Sequence, residues 1–186
     1  MKKSFDIFLG VLSGVILAIP MMFIACIIKL TSQGSVLFWS DRVGQNNKLF
    51  SMPKFRTMRK DTPQLATHLL DDPESFYTPF GRFLRKLSLD ELPQLYSILK
   101  GNMSFVGPRP ALYNQDDLIE LRTKKGIHKV KPGLTGWAQV NGRDEISIPE
   151  KVILDEEYLR DKSLKMDIFI IWLTLIKVIK KDSVSH

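Results

Sequence analysis

The sequence predicts a mainly helical α+β fold carried on an apolar N-terminal helix, and three observations lead there. Ile7 to Ile28 contains no charged residue and is long enough as a helix to cross a bilayer core. Ser35 to Asp61 has apolar and aromatic residues on two arms around Gly44-Gln45-Asn46-Asn47, the pattern of a small β-hairpin. Beyond it the chain breaks at glycines and prolines into short helical stretches. At 186 residues there is room for one domain with a core plus one appended element, divided here at 1–32 and 33–186.

The elements follow in order. Lys2 and Lys3 precede the apolar run, and Lys29 and Arg42 follow it, so positive charge gives no orientation. Pro20 removes one backbone hydrogen bond near its middle and marks a kink. From the residues, two forms stay open: an ordinary spanning helix, and one that bends at Pro20 and leaves by the face it entered. Asp61 to Phe83 mixes acids with prolines and reads as a surface excursion. Thr78-Pro79 reads as an N-cap and first position, opening a helix with Phe80, Phe83, Leu84 and Leu87 on one face. Ser88 to Lys100 reads as a second helix closed by Gly101, with Ser88-x-x-Glu91 as a capping box that Pro93 strains. Pro108 and Pro110 hold Arg109 on an extended turn. Gln115 to Lys125 is helical, and Lys129 to Arg143 reads as a loop in which Gly133 and Gly136 permit close approach to a ligand and Trp137 offers a stacking face. Pro149 to Arg160 and Leu164 to Lys181 are helices. The last has a wide apolar arc bordered by lysines, which suits a membrane interface or a core.

Composition narrows the chemistry. A net charge of +7 favours acidic partners: anionic lipid, phosphorylated small molecules or nucleic acid. The cations are scattered among aliphatic helices rather than gathered in a basic stripe, which argues against nucleic acid. Cys26 is the sole cysteine, so neither an internal disulfide nor a thiolate zinc site can form. His68, His128 and His186 have no metal-ligand spacing, and no P-loop or nucleophile elbow is present. Carboxylates are left to carry any reaction, and Asp90-Glu91 stands beside Arg82, Arg85 and Lys86. A cap accounts for Glu91 and leaves Asp90 unexplained. Asp90 could instead attack phosphorus and bind Mg²⁺, with Arg85 and Arg109 as phosphate partners. A non-catalytic membrane scaffold is the rival, with the acids as a helix start only.

Three stretches then carry a specific resemblance. "KFRTM" (Lys54 to Met58), "LSLDELPQLYSILKGNMSFVGPRP" (Leu87 to Pro110) and "KPGLTGWAQVNGR" (Lys131 to Arg143) resemble, in order, the signature blocks of the bacterial sugar transferases, the small monotopic phosphoglycosyl transferases. The resemblance implies transfer of a phospho-sugar from a UDP-sugar donor to undecaprenyl phosphate, with release of UMP, through a covalent phospho-sugar on an aspartate. It implies Asp90 as nucleophile and Mg²⁺ ligand, Glu91 as its acidic partner, and Arg85, Arg109, Lys54 and Arg56 as substrate-binding residues. It further implies a re-entrant membrane helix kinked at Pro20, interfacial amphipathic helices around one catalytic domain, and residence on the cytoplasmic face of the bacterial inner membrane among its lipids. The product would start a lipid-linked glycan: O-antigen, capsule, exopolysaccharide or glycoprotein glycan. A homodimer is an admissible assembly. The family's kink is usually Ser-Pro, where this chain has Ile19-Pro20.

Overall fold

The computed structural model describes residues 2–62, 72–142 and 146–180. Part of the expected excursion (63–71), Arg143 at the end of the third block and Lys181 lie outside the described residues.

Helix α1 (Lys2–Thr31) runs through Pro20, and its buried residues are Asp6, Gly10, Ile24 and Ile28. At 3.6 residues per turn these four share a stripe about 40° wide. Leu17 within the stripe and Met21 beside it pack on the rest of the protein, whereas Val15, Ile19 and Phe23 on other faces are exposed. The helix therefore lies along the domain rather than projecting from it. Polar contacts fasten both ends. Asp6 Oδ1 accepts from Ser104 Oγ (3.0 Å) and the Phe105 amide (3.2 Å). Lys2 Nζ donates to Val106 O (2.9 Å), Tyr158 Oη (2.8 Å) and Asp167 Oδ2 (2.7 Å). At the far end the Arg56 guanidinium donates to Ser32 O and Oγ and to Gln33 O.

Strands β1 (Leu37–Val43) and β2 (Leu49–Phe55) form the expected antiparallel hairpin, in register from Leu37 opposite Phe55 to Val43 opposite Leu49. Asn46 and Asn47 turn it with φ of 55° and 58°, a region asparagine tolerates. Helix α2 (Gly81–Lys86) follows, but Thr78 does not cap it. The Thr78 amide (3.0 Å) and hydroxyl (3.2 Å) both donate to Thr57 O, tying it to the strand extension instead.

The helix expected over Ser88 to Lys100 is two pieces, a 3-10 turn (Leu89–Gln94) and α3 (Leu95–Leu99). Pro93 is the reason, since its ring collides with the carbonyl an α-helical ladder would place four residues back. Ser88 takes a left-handed conformation (φ 57°) and its side chain does not cap, so the predicted capping box is absent there. Gly101, at φ +88°, closes α3 as expected. A capping box does form elsewhere: Ser147 and Glu150 satisfy each other's amides at the start of the helix Ile148–Asp161.

Strands β3 (Ser104–Val106) and β4 (Gly133–Thr135) pair in parallel, and between them lies α4 (Asp116–Lys124). The stretch predicted as a loop thus contains β4 and helix α5 (Trp137–Asn141). Its glycines serve backbone rather than ligand. A Cβ at Gly133 would collide with the Gly107 amide, and one at Gly136 with the Gly107 carbonyl. Trp137 packs at the core edge and donates from Nε1 to Glu157 Oε2 (2.9 Å).

Helices α6 (Ile148–Asp161) and α7 (Leu164–Lys180) complete the fold. Helix α7 is buried on one side and exposed on the other. Asp167 and Ile170 are buried, while Ile168, Phe169, Trp172 and Leu175 are exposed. The main core joins Met52, Leu95, Ile98, Val106, Tyr158 and Ile170, so hairpin, α3, β3, α6 and α7 close on one another.

Because Gly133 lies against Gly107, Gly133→Ala is expected to destabilise by about 1–3 kcal/mol. A thermal melt of the purified protein in detergent checks this; a parental melting temperature would show that the two strands can move apart.

Candidate active site

Three elements converge on one carboxylate. Strand β2 packs against the turn that holds Asp90 and Glu91, and its Lys54 Nζ reaches Glu91 Oε1 at 2.8 Å. The chain leaves β3 into Gly107 and the Pro108-Arg109-Pro110 turn. Arg109 Nη2 meets the same Oε1 at 2.6 Å, and its Nη1 lies 3.4 Å from Oε2. Glu91 is 9% exposed, so its charge is costly unless paired, and it is paired twice.

The two acids differ in environment although they are neighbours. For Glu91, burial pushes the carboxyl upward, but the charges of Arg109 and Lys54 and their hydrogen bonds outweigh it, holding the group well below the usual glutamate value. For Asp90, also buried, desolvation prevails and raises the carboxyl; Glu91 adds to the rise, while Lys54, Arg85 and Arg109 oppose it. Burial also lowers Lys54, against the pull of Glu91. One acid is committed to cations, and the other stands in their field. Adjacent carboxyls held apart in this way take separate chemical roles.

The remaining predicted residues divide. Arg85 Nε donates to Thr57 Oγ1 (3.0 Å), its guanidinium lies over the Tyr77 ring at 5.5 Å, and its charge acts on Asp90. Arg56, expected beside the substrate, is buried with its guanidinium turned to the end of α1. It braces the helix against β2 and does not enter the Lys54–Glu91–Arg109 cluster. Pro20 lies inside α1, away from this site in sequence and element.

Arg42 was not singled out for the site. It donates from Nη1 to Pro110 O (3.3 Å), and burial together with the repulsion of Arg109 lowers it to about 10. The sole sequence signal was its place near the hairpin turn. Among the described residues no group of three or more His, Cys, Asp or Glu could hold a metal. A Mg²⁺ ion held by Asp90 alone, completed by phosphate oxygens and water, is compatible with this donor set, because both Glu91 oxygens face cations.

A carboxylate pair rimmed by Lys54, Arg109 and Arg85, on a domain with a long exposed apolar helix, makes a class of site able to receive a phosphate-bearing anion. Comparison with known proteins agrees with that class: the model of the family "Bacterial sugar transferase" matches residues 1–181, and the chain belongs to this family. It is 41% identical to the undecaprenyl-phosphate glucose phosphotransferase of Komagataeibacter xylinus over 94% of its own length and 35% of that protein. It is 39% identical to the uncharacterized sugar transferase EpsL of Bacillus subtilis (strain 168), over 100% of this chain and 91% of EpsL. It is 35% identical to the UDP-N-acetylgalactosamine-undecaprenyl-phosphate N-acetylgalactosaminephosphotransferase of Aeromonas hydrophila, over 94% of this chain and 42% of that protein. The chain thus spans well under half of two of these relatives and nearly all of the third.

If Asp90 acts as a carboxylate, its raised value sets the acid limb of the reaction above the ordinary aspartate range. Lys54 is the largest influence lowering Asp90, so Lys54→Gln is expected to raise Asp90 further and move that limb to higher pH. The pH profile of UMP release from a UDP-sugar measures it; a limb that stays put or moves to lower pH would remove Asp90 from the titration.

Proposed function

We propose that the protein transfers a phospho-sugar from a UDP-sugar to undecaprenyl phosphate, releasing UMP, through a covalent phospho-sugar on Asp90. The single observation that carries this reading is the split pair: Glu91 clamped by Lys54 and Arg109, with Asp90 beside it in the same cationic field. A deprotonated Asp90 attacks the sugar-bearing phosphorus of the donor, and the bond to the UMP phosphate breaks. An oxygen of the lipid phosphate then attacks that phosphorus and breaks its bond to Asp90. Two anions so use one centre in turn instead of together. Lys54 and Arg109 fix Glu91, and Arg109, whose side chain is 32% exposed, is in reach of the donor's diphosphate. Asp90 would also hold Mg²⁺, which supplies charge neutralisation for the diphosphate when bound.

The activities for which the Komagataeibacter and Aeromonas relatives are named support a polyprenyl-phosphate acceptor, and the latter supports a UDP-activated donor. They differ in the sugar, so the donor class is assigned here only as a UDP-sugar, and the product as the first lipid-linked unit of a surface glycan. Nothing in the reaction requires a second copy of the chain.

The membrane arrangement belongs to the same reading. Both ends of α1 rest on one domain, which supports a monotopic, same-face placement over a spanning one. Exposed Phe80 and Phe83 of the α2 segment, the outer face of α1, and Phe169 and Trp172 of α7 supply apolar surface for the lipid interface. Basic residues at both ends of α1 orient no spanning helix, but for a helix with both ends on one side they support the cytoplasmic face of a bacterial inner membrane.

Incubated with donor alone and Mg²⁺, the parent protein is expected to release UMP in an amount equal to the enzyme and to retain labelled sugar after denaturation. Asp90→Asn removes the charged nucleophile and should abolish both signals, and EDTA should suppress them in the parent. Near-parental turnover by Asp90→Asn would rule out the covalent step at this residue. Cysteines placed at Ser4 and Ser35, in a Cys26→Ser background, should both be shielded from an impermeant thiol reagent in intact cells; labelling at Ser4 alone would establish a spanning helix.

A further inference from the structure

The turn carrying Arg109 contains two prolines and so lacks two of its own amide donors. Its carbonyls are held from outside. The Gly133 amide donates to Pro108 O (2.9 Å), Arg122 Nη1 to Arg109 O (2.7 Å), Arg42 Nη1 to Pro110 O (3.3 Å) and the Val43 amide to Ala111 O (3.0 Å). Of these donors, Arg122 binds the carbonyl of Arg109 itself. The remaining face of its guanidinium is spent on one partner: Nε (2.9 Å) and Nη2 (2.6 Å) both bind Asp155 Oδ2.

This ion pair is deep, with Arg122 8% and Asp155 1% exposed. A buried pair of this kind is a weak source of stability, because desolvation consumes most of the Coulombic gain and well-packed apolar residues would serve as well. What apolar residues could not supply is the hydrogen bond to Arg109 O. Asp155 is in turn fixed by α6, whose Glu157 accepts from Trp137 and whose Tyr158 donates to Val106 O (3.2 Å). Neither member of the pair touches Glu91 or Asp90 among the described residues. Their route to the site is the Arg109 backbone.

We propose that Arg122 and Asp155 are positioning residues for the transfer reaction, aiming the Arg109 guanidinium at Glu91 and the donor diphosphate by clamping the Arg109 carbonyl. This deepens the transferase reading and rests on it. The test is a double-mutant cycle in the donor-only UMP release assay with Arg122→Lys, Arg109→Lys and both together. Lysine at 122 keeps the charge for Asp155, but one nitrogen cannot also hold Arg109 O in the same place. Loss of aim costs roughly 10-fold or more in rate. If Arg122 acts through Arg109, the double variant is expected to match Arg109→Lys within about twofold; independent effects would multiply and overturn the proposal. A fully active Arg122→Lys would also overturn it.

Should Arg122→Lys fail to fold, Arg122→Met with Asp155→Leu removes both charges together and takes its place in the cycle, read the same way. Failure of both to fold would make the pair part of the fold alone and sink the positioning role. Hydrogen exchange of residues 107–112 reports the clamp without turnover. Faster exchange centred on that segment is expected in the Arg122 variants, and unchanged exchange overturns the clamp. A parent that releases UMP from no UDP-sugar while the exchange result holds would instead unseat the transferase reading.

Discussion

A buried carboxylate with two cations on it is the constraint from which the arrangement follows. Glu91 sits where an isolated charge would cost several kcal/mol, and Lys54 and Arg109 offset that cost only while both remain within hydrogen-bond reach. The three residues come from a hairpin strand, a 3-10 turn and a double-proline turn. Each of these must therefore be fixed relative to the others. The hairpin packs against the turn, and its Val43 amide and Arg42 side chain also hold the Pro-Arg-Pro segment. The parallel pair of β3 and β4 delivers that segment at the right height, which is why the backbone contact of Gly133 and Gly136 with Gly107 matters to a site they do not enter.

The same pairing separates the two acids. With Glu91 held ionised, its charge joins burial in raising Asp90, and Lys54, Arg85 and Arg109 prevent the rise from going unchecked. The proposed division into nucleophile and partner follows from which residue the cations touch, not from any difference in residue chemistry.

Helix α1 extends the logic to the membrane. Its apolar outer faces would favour leaving the domain for lipid, yet buried Asp6, the Lys2–Asp167–Tyr158 cluster and the Arg56–Ser32 contacts hold its ends to the protein. These contacts link the N-terminal helix to β3, α6, α7 and the residue that follows β2, and β2 and β3 also lead into the site. Arg56 is instructive: it sits in a signature block two residues from Lys54, where strand alternation alone would put both on one face, but it lies just past the end of β2 and its guanidinium turns to the end of α1.

Much of this was legible along the chain. The uncharged run, the hairpin with its asparagine turn, the glycine that ends α3, the helices near 115–125 and 149–160, and the nearness of Asp90 and Glu91 to cations all arise from local periodicity, turn chemistry and spacing. Other features depend on partners distant in sequence. Glu91 read as a cap because a cap is the local way to satisfy a glutamate in a first turn, whereas its partners lie 37 and 18 residues away. The glycine-rich third block read as a loop because a three-residue strand is specified by the neighbour it pairs with, here Ser104 to Val106. Arg122 and Asp155, 33 residues apart, carry no local mark of their bond. By itself the sequence determined the apolar helix, the hairpin and most of the later helices, and which groups could bear charge chemistry, since those depend on near neighbours. Only the tertiary structure decided which carboxylate is clamped and which arginine braces the N-terminal helix, because burial and pairing exist only once distant segments meet.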